Sequence, residues 1–164
     1  MLPRRLIVMR HAKSAWPQGL DDRSRPLNGR GRAAAPRVAA ELNSRGWTPE
    51  IVVSSDAQRT METWELMKDH FSPTPQVVFD PSLYLSGYTE VVSLAIQMPD
   101  TCQSALFLGH NPGWELLASQ LAGDSLEMAT GVAVLFQTES DSWKSAFAAK
   151  EWELVSAVRP RELE

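Results

Sequence analysis

The sequence predicts an α/β fold, a three-layer sandwich in which a mainly parallel central sheet is flanked by helices. Two observations support this fold class. Short apolar runs of strand length alternate along the chain with longer segments that carry helix start and stop signals. No internal repeat and no linker divides the 164 residues, so we expect one domain that spans residues 1–164.

The predicted strands are runs of apolar residues between polar or charged flanks, which is typical of buried strands. In chain order they are Leu6–Met9, Ile51–Ser54, Val77–Phe79, Ser104–Leu108, Val132–Gln137 and Trp152–Val158. The segment between the last two strands has no clear periodicity. The alternation of strands and helices predicts a mainly parallel sheet.

The predicted helices are marked by residues that favour helix ends. Asn28 is a suitable N-cap for a helix to about Asn43, with Arg45-Gly46 at its end. The second helix is predicted to run from a cap at Ser55 or Asp56 to about Phe71, and the third from a cap at Thr89 to about Met98. The fourth is predicted to be capped by Asn111, with Pro112 at its first position, and to end near Gly123.

Composition and charge exclude several classes of protein. The formal net charge of −4 argues against a general nucleic-acid binder, which usually has a basic surface. No apolar stretch approaches the ~20 residues that span a bilayer, and the apolar run behind the basic start is too short for a signal peptide. Cys102 is the only cysteine, so no disulfide can form within the chain. We therefore expect a soluble, cytoplasmic protein with no membrane or nucleic-acid partner.

Four side chains follow predicted strands and carry the chemistry of a phosphate site. Arg10-His11 ends the first strand, Arg59 lies in the first helical turn after the second, and His110 follows the fourth. Because ligands bind beyond the carboxyl ends of parallel strands, we expect these side chains to converge there. Arginine suits phosphate oxygens, and free N–H groups at helix starts favour anions. The sequence therefore predicts a pocket for a dianion.

Histidine in such a pocket is a candidate nucleophile. Neutral imidazole predominates above its ordinary pKa of ~6.5, and it accepts a phosphoryl group to give a phosphohistidine that water hydrolyses. The arginines would stabilise the charge on the transferred group. The chain has only three histidines and no spaced carboxylate–histidine ligand set, so we expect no metal and no cofactor.

Four segments of the chain resemble motifs of the histidine phosphatase superfamily, the phosphoglycerate-mutase-like proteins, and within it the small SixA-like phosphohistidine phosphatases. In order, the segments are Arg10-His11-Ala12-Lys13-Ser14-Ala15-Trp16, Arg25-Pro26-Leu27-Asn28-Gly29-Arg30-Gly31, Ser54-Ser55-Asp56-Ala57-Gln58-Arg59-Thr60 through Thr63, and Gly109-His110-Asn111-Pro112-Gly113. Arg159-Pro160 also fits the pattern. Ala12 stands where the family usually has glycine, which restricts the backbone if a positive φ is needed there.

The resemblance implies a phosphoglycerate-mutase-like fold and a role for each matched residue. His11 would be the nucleophile, Arg10 and Arg59 would bind phosphate, and His110 would donate a hydrogen bond to the phosphoryl oxygens. Two more residues would complete the phosphate site: the Ser14 side chain and the Asn111 backbone N–H.

The sequence leaves the proton donor and the role of Arg25 open. Asp22 and Glu90 are both candidates for protonating a leaving group. Arg25 either binds substrate phosphate or pairs with Asp21 or Asp22. An imidazole leaving group needs less help from an acid than an alkoxide does, so a phosphohistidine phosphatase tolerates a weaker donor.

The resemblance favours a metal-independent phosphatase that acts through His11 on phosphohistidine of a partner protein. Only one short helix is predicted between the third and fourth strands, where larger relatives carry a lid over small substrates. An open pocket suits a phosphohistidine that a protein displays. The alternatives are a phosphatase of a small phosphorylated metabolite and an inactive phosphate-binding scaffold.

Overall fold

A six-stranded sheet lies at the centre of the protein, and the computed structural model describes residues 1–164. The strands are β1 (Leu2–Arg10), β2 (Ile51–Ser54), β3 (Gln76–Phe79), β4 (Ser104–Gly109), β5 (Ala133–Ser140) and β6 (Glu153–Val158). Their order across the sheet is β3-β2-β4-β1-β5-β6. The first four strands pair in parallel, whereas β5 and β6 are antiparallel to their neighbours. The mainly parallel sheet is therefore confirmed.

Helices cover both faces of the sheet. They are α1 (Gly29–Ser44), α2 (Gln58–Met67), α3 (Tyr88–Ala95), α4 (Gly113–Ala122) and α5 (Trp143–Ala149). None of them is both long and apolar enough to cross a membrane.

The alternating side chains of β1 divide the core into two layers. Leu6 and Val8 pack with the buried residues of α3, α4 and α5. Ile7 and Met9 face the other way and pack with those of α1 and α2. Because both faces of the strand are buried, it appears in the sequence as a continuous apolar run rather than an alternating one. The predicted three-layer α/β sandwich is confirmed.

Most predicted elements are present, and the largest errors concern helix caps. Thr89 does not cap the third helix: α3 begins one residue earlier, its N-cap is Gly87, and it ends at Ala95. Asn111 does not cap the fourth helix, because Pro112 is the N-cap of α4 and the Asn111 side chain donates to Glu115 Oε2 and the Met128 carbonyl instead.

The second helix also differs from its prediction. Ala57 is the N-cap of α2, so neither Ser55 nor Asp56 has that position, although Ser55 Oγ accepts a hydrogen bond from the Ala57 N–H. The α-helix ends at Met67, and a short 3₁₀ helix, Lys68–His70, follows it. The segment without clear periodicity forms α5, whose N-cap Ser142 accepts from the Ser145 N–H.

The parallel strands bring the predicted site residues to one edge of the sheet. Arg10 pairs in register with Gly109, and Ser54 with Leu108, so β1, β2 and β4 end side by side. Gly109 is required at this edge because a Cβ there would come within 2.4 Å of the Trp114 ring. Trp114 is fully buried and packs beneath the loop that carries His110.

Candidate active site

A pocket of about 300 Å³ lies at the carboxyl edge of β1, β2 and β4. The structure brings all four predicted chemical residues to it, together with three of the predicted accessory residues. The first four are Arg10, His11, Arg59 and His110, and the accessory residues are Ser14, Asp22 and Asn111. Glu90, the other candidate donor, does not line this pocket and lies in the first turn of α3.

The hydrogen bonds of His11 define which of its nitrogens is free. Nδ1 lies 2.7 Å from the Ala12 carbonyl oxygen, which only accepts, so Nδ1 carries the proton. The lone pair is therefore on Nε2, to which Arg59 Nε donates at 3.3 Å. Burial lowers the pKa of His11 to about 4, and the charges of Arg59 and Arg10 add to the effect, although the bond to Ala12 opposes it. His11 is thus a neutral imidazole at pH 7, and its unprotonated nitrogen, Nε2, is the one that can act as a nucleophile in place of accepting from Arg59.

His110 is a second neutral imidazole, with its ring centroid 5.3 Å from that of His11. Its Nε2 lies 2.8 Å from Ser55 Oγ, while its Nδ1 is buried without any partner. Ser55 Oγ already accepts from the Ala57 N–H, so its hydroxyl proton is available to His110 Nε2. This pairing leaves the proton of His110 on Nδ1. Burial, with smaller contributions from His11 and Arg59, lowers the pKa of His110 to about 3.

Two arginines supply fixed positive charge to the pocket. Arg59 is 3% exposed and donates to the carbonyl oxygen of Asp22 at 2.7 Å and to its Oδ2 at 3.0 Å. Arg10 donates from Nη1 to the Met128 carbonyl at 3.0 Å, while its Nε is buried without a partner. Burial lowers the pKa of Arg10, and the charge of Arg59 adds to this, whereas Glu115 opposes it. An anion that pairs with these donors would relieve the cost of burying them.

Asp22 is the only acidic residue that lines the pocket, and three donors hold it. The Tyr84 hydroxyl donates to Oδ2, Arg25 Nη1 donates to Oδ1 at 2.9 Å, and Arg59 donates to Oδ2. The bond from Tyr84, followed by those from Arg25 and Arg59, holds the pKa of Asp22 far below its usual range. Asp22 is therefore ionised at neutral pH.

Arg25 pairs with Asp22, which was one of the two roles left open by the sequence. It also donates to Ser14 Oγ at 2.6 Å and to the Ala15 carbonyl at 3.0 Å, and its guanidinium lies 3.2 Å from the centroid of the Trp16 ring. Trp16 is 78% exposed and lines the pocket mouth. The opening is thus framed by a stacked cation and an aromatic ring.

Ala12 causes no backbone strain in place of the usual glycine. Leu85 and Lys150 are the non-glycine residues with positive φ, so Ala12 has an ordinary backbone conformation. Its methyl group is fully buried. Its N–H donates to Thr63 Oγ1 at 3.1 Å, and that hydroxyl donates to the Arg59 carbonyl at 2.7 Å.

Sequence reasoning missed four residues that hold the site: Ser55, Thr63, Tyr84 and Glu115. Ser55 and Thr63 lie inside the third motif, so the motif itself carried a signal for them. Glu115 accepts from the Asn111 side chain and from the Met128 N–H, which positions the carbonyl that Arg10 contacts. Tyr84 stands edge-on to the His110 ring at 5.5 Å, and no local pattern in the sequence predicts that contact.

The sequence model of the histidine phosphatase superfamily (branch 1) matches residues 6–84, the part that includes Arg10, His11, Asp22 and Arg59. A solved structure of a SixA protein aligns with nearly the whole chain. A Nakamurella multipartitia protein assigned as the phosphohistidine phosphatase SixA is 26% identical, with a TM-score of 0.82 over 96% of both chains. The chain belongs to the histidine phosphatase superfamily.

Two further proteins are similar to the chain over nearly its whole length. An Agrobacterium tumefaciens protein with the same SixA assignment is 26% identical, with a TM-score of 0.82 over 98% of this chain and 100% of that one. An uncharacterized chloroplastic protein of Arabidopsis thaliana is 39% identical over 97% of this chain and 79% of its own length. As a member of the histidine phosphatase superfamily, the protein is a hydrolase of the phosphatase type.

Proposed function

We propose that the protein removes phosphoryl groups from histidine side chains of a partner protein, through a phosphohistidine formed on His11. The observation that favours phosphohistidine over a phosphate ester as substrate is the ionisation of the only carboxyl group that lines the pocket. Asp22 is ionised and held by Tyr84, Arg25 and Arg59, so it has no proton to give to an alkoxide leaving group. Imidazole leaves without such a proton, provided that its other nitrogen is already protonated.

Unpaired polar atoms in the pocket support the proposed phosphate site. Arg10 Nε and His110 Nδ1 are buried donors without partners, and a phosphoryl oxygen would accept from both. Arg59 already lies against His11 and would turn its donors from Asp22 to the phosphate. In this proposal Ser14 and the Asn111 backbone N–H bind the remaining oxygen.

The transfer to His11 needs no external oxidant or cofactor. His11 Nε2 forms a bond to phosphorus while the bond from phosphorus to the substrate nitrogen breaks, and its electron pair stays on the departing imidazole. The positive charge that develops on the His11 ring is stabilised by the Ala12 carbonyl, which accepts from Nδ1–H. Water then attacks the phosphorus, Nε2 leaves with its electron pair, and the proton of the water passes to the phosphate product.

The shape of the site supports a protein substrate. The chain between β3 and β4 contains only a 3₁₀ helix, Pro81–Leu83, and the eight-residue α3, and the pocket mouth carries the exposed Trp16. Two structural relatives are assigned as SixA phosphohistidine phosphatases. That residues 1–164 act as one domain and that the protein is cytoplasmic are part of the same proposal.

A comparison of substrates tests this proposal. We expect kcat/KM for a phosphohistidine peptide to exceed that for sugar phosphates by at least about a hundredfold, since the alkoxide needs a proton donor that contributes roughly that factor. Both activities should be lost in His11→Ala and kept in His70→Ala, a matched control because His70 is exposed and outside the pocket.

Two results would contradict the proposal. Turnover of sugar phosphates that equals or exceeds that of the peptide would make the protein a small-molecule phosphatase. Binding of phosphate without turnover of either substrate would make it a scaffold.

A further inference from the structure

A second cleft borders the catalytic pocket and is larger than it. Its volume is about 530 Å³, against about 300 Å³ for the pocket itself. Lys13 and Thr130 line both cavities, so the two share a wall. A substrate that fills the catalytic pocket with its phosphoryl group would therefore extend directly over this cleft.

Basic side chains dominate the lining of the cleft, although the formal net charge of the protein is −4. The cations are Lys13, Arg30, Arg159 and Arg161, and the acids are Glu127 and Glu164. Arg30 lies 3.6 Å from Glu164, with both side chains more than half exposed, and exposed pairs of that kind are weak. The cleft thus presents cations that an incoming anion can take over from weak partners.

The C-terminal segment that supplies two of these arginines is fixed next to the catalytic loop. Gly131 has a φ of +78°, and its N–H donates to the His11 carbonyl at 2.8 Å. A Cβ on Gly131 would come within 2.9 Å of Pro160 Cγ, so Pro160 packs closely on this turn. On the other side, Leu163 packs against the core layer under α1. The positions of Arg159 and Arg161 are therefore set relative to His11.

We propose that this cleft binds acidic side chains of the substrate protein that lie near its phosphohistidine. The inference rests on the proposed function and adds that the sequence around the target histidine is acidic. Four cations line a cleft of about 530 Å³ together with the apolar side chains of Leu126 and Val132, which fits a polypeptide segment that carries several carboxylates better than one compact ligand. A second phosphate on a small molecule has the same chemistry, so the test includes it as a separate arm.

The test compares two double variants of equal charge change. Arg30→Gln with Arg161→Gln removes two cations from the cleft, and Arg37→Gln with Lys144→Gln removes two exposed cations that line neither cavity. The substrates are phosphohistidine peptides with acidic or neutral flanks, a bisphosphate and monophosphate pair of small molecules, and p-nitrophenyl phosphate.

We expect the cleft variant to lose about tenfold in the ratio of kcat/KM between acidic and neutral peptides, as two exposed pairs of up to ~1 kcal/mol predict. The ratio should not change in the control variant, and p-nitrophenyl phosphate should be hydrolysed equally by all three proteins. An unchanged ratio, or an equal fall for every substrate, would overturn the proposal. A fall confined to the bisphosphate would show that the cleft binds small molecules and would overturn the assignment to a protein.

Binding without turnover separates this inference from the proposed function. Fluorescence anisotropy of a labelled acidic peptide that lacks phosphohistidine reports on the cleft alone. Weaker binding by the cleft variant than by the control variant would support the cleft even if phosphohistidine hydrolysis were absent. Equal binding by the two variants would contradict it, whatever the catalytic activity.

Discussion

Both ends of β1 carry an arginine with buried nitrogen atoms, but these atoms are satisfied in opposite ways. At the amino end Arg4 is fully buried, and its guanidinium donates to four backbone carbonyls, those of Asp100, Cys102, Ser140 and Asp141. At the carboxyl end Arg10 Nε is buried with no partner, and so is Nδ1 of the neighbouring His110. A buried cation in which every nitrogen has a partner is satisfied by the fold itself, whereas buried donors without partners indicate a place for a ligand.

Replacement of His11, at the carboxyl end of β1, should have the largest effect on turnover. His11→Ala removes the nitrogen that accepts the phosphoryl group, so we expect turnover to fall by at least about four orders of magnitude. The fold should remain intact, as judged by circular dichroism and thermal unfolding. Substantial residual turnover in the purified variant would show that another group is the nucleophile.

Arg59→Ala should have the next largest effect on activity. Loss of one preorganised donor to a transferring group costs roughly a hundred- to a thousandfold in kcat, about 3 kcal/mol. The measurement is kcat on the phosphohistidine peptide, with Arg37→Ala as a control because Arg37 is exposed and does not line the pocket. A less than fivefold loss would mean that Arg59 does not contact the phosphoryl group.

Arg4→Met should reverse the pattern, with a loss of stability and no loss of catalysis. Four carbonyls that Arg4 contacts would lose their donor, and we expect the free energy of unfolding to fall by about 3 kcal/mol. Urea denaturation measures the loss, and kcat per folded molecule should stay unchanged. A lower kcat with unchanged stability would remove the distinction between the two ends of β1.

Ser55→Ala should have a smaller effect, which acts through His110. Without the hydroxyl, nothing holds the proton of His110 on Nδ1, and we expect kcat to fall by about tenfold, the size of effect typical of a partner that orients a functional histidine. Ser55→Thr keeps the hydroxyl and should restore the rate. An equal loss in both variants would instead indicate a packing defect at the start of α2.

The smallest expected effect is a change in titration rather than in rate. NMR titration of the histidine ring signals should give a midpoint near 4 for His11, since its burial disfavours the charged form. Its folded pKa lies below the unfolded value of ~6.5, so the unfolded chain binds more protons between these limits, and stability rises with pH across that window. A His11 midpoint near 6.5 would show that the pocket is more hydrated than the structure indicates.

The amino-acid pattern was sufficient to predict β2 to the residue and β4 to within one residue, because buried parallel strands are apolar throughout. The exposed β3 and the antiparallel β5 and β6 were predicted approximately. It also predicted that Arg10, His11, Arg59 and His110 would meet, since each follows a strand that ends at the same edge. β1 was predicted four residues too short at its start, where Pro3 and the consecutive arginines Arg4 and Arg5 interrupt the apolar run although these residues pair with β5.

The helix caps and the supporting contacts could not be predicted because they depend on tertiary structure. Gly87, the N-cap of α3, lies against Gly113, and a Cβ on Gly113 would come within 1.6 Å of the Ser86 carbonyl oxygen. Likewise, Tyr84 and Arg59 reach Asp22 from distant parts of the chain, and these contacts help to keep Asp22 ionised. Residues distant in sequence thus determine the state of a side chain that the sequence could only nominate as a proton donor.

A quenched single turnover on a labelled phosphohistidine peptide tests the central claim most directly. The account predicts a phosphoryl group on Nε2 of His11, stable in base and labile in acid, that forms and decays within the time of one turnover. Mapping of the peptide that contains His11 locates it, and His11→Ala should not be labelled. Peptide hydrolysis without any label on His11, or with the label on His110, would contradict the account.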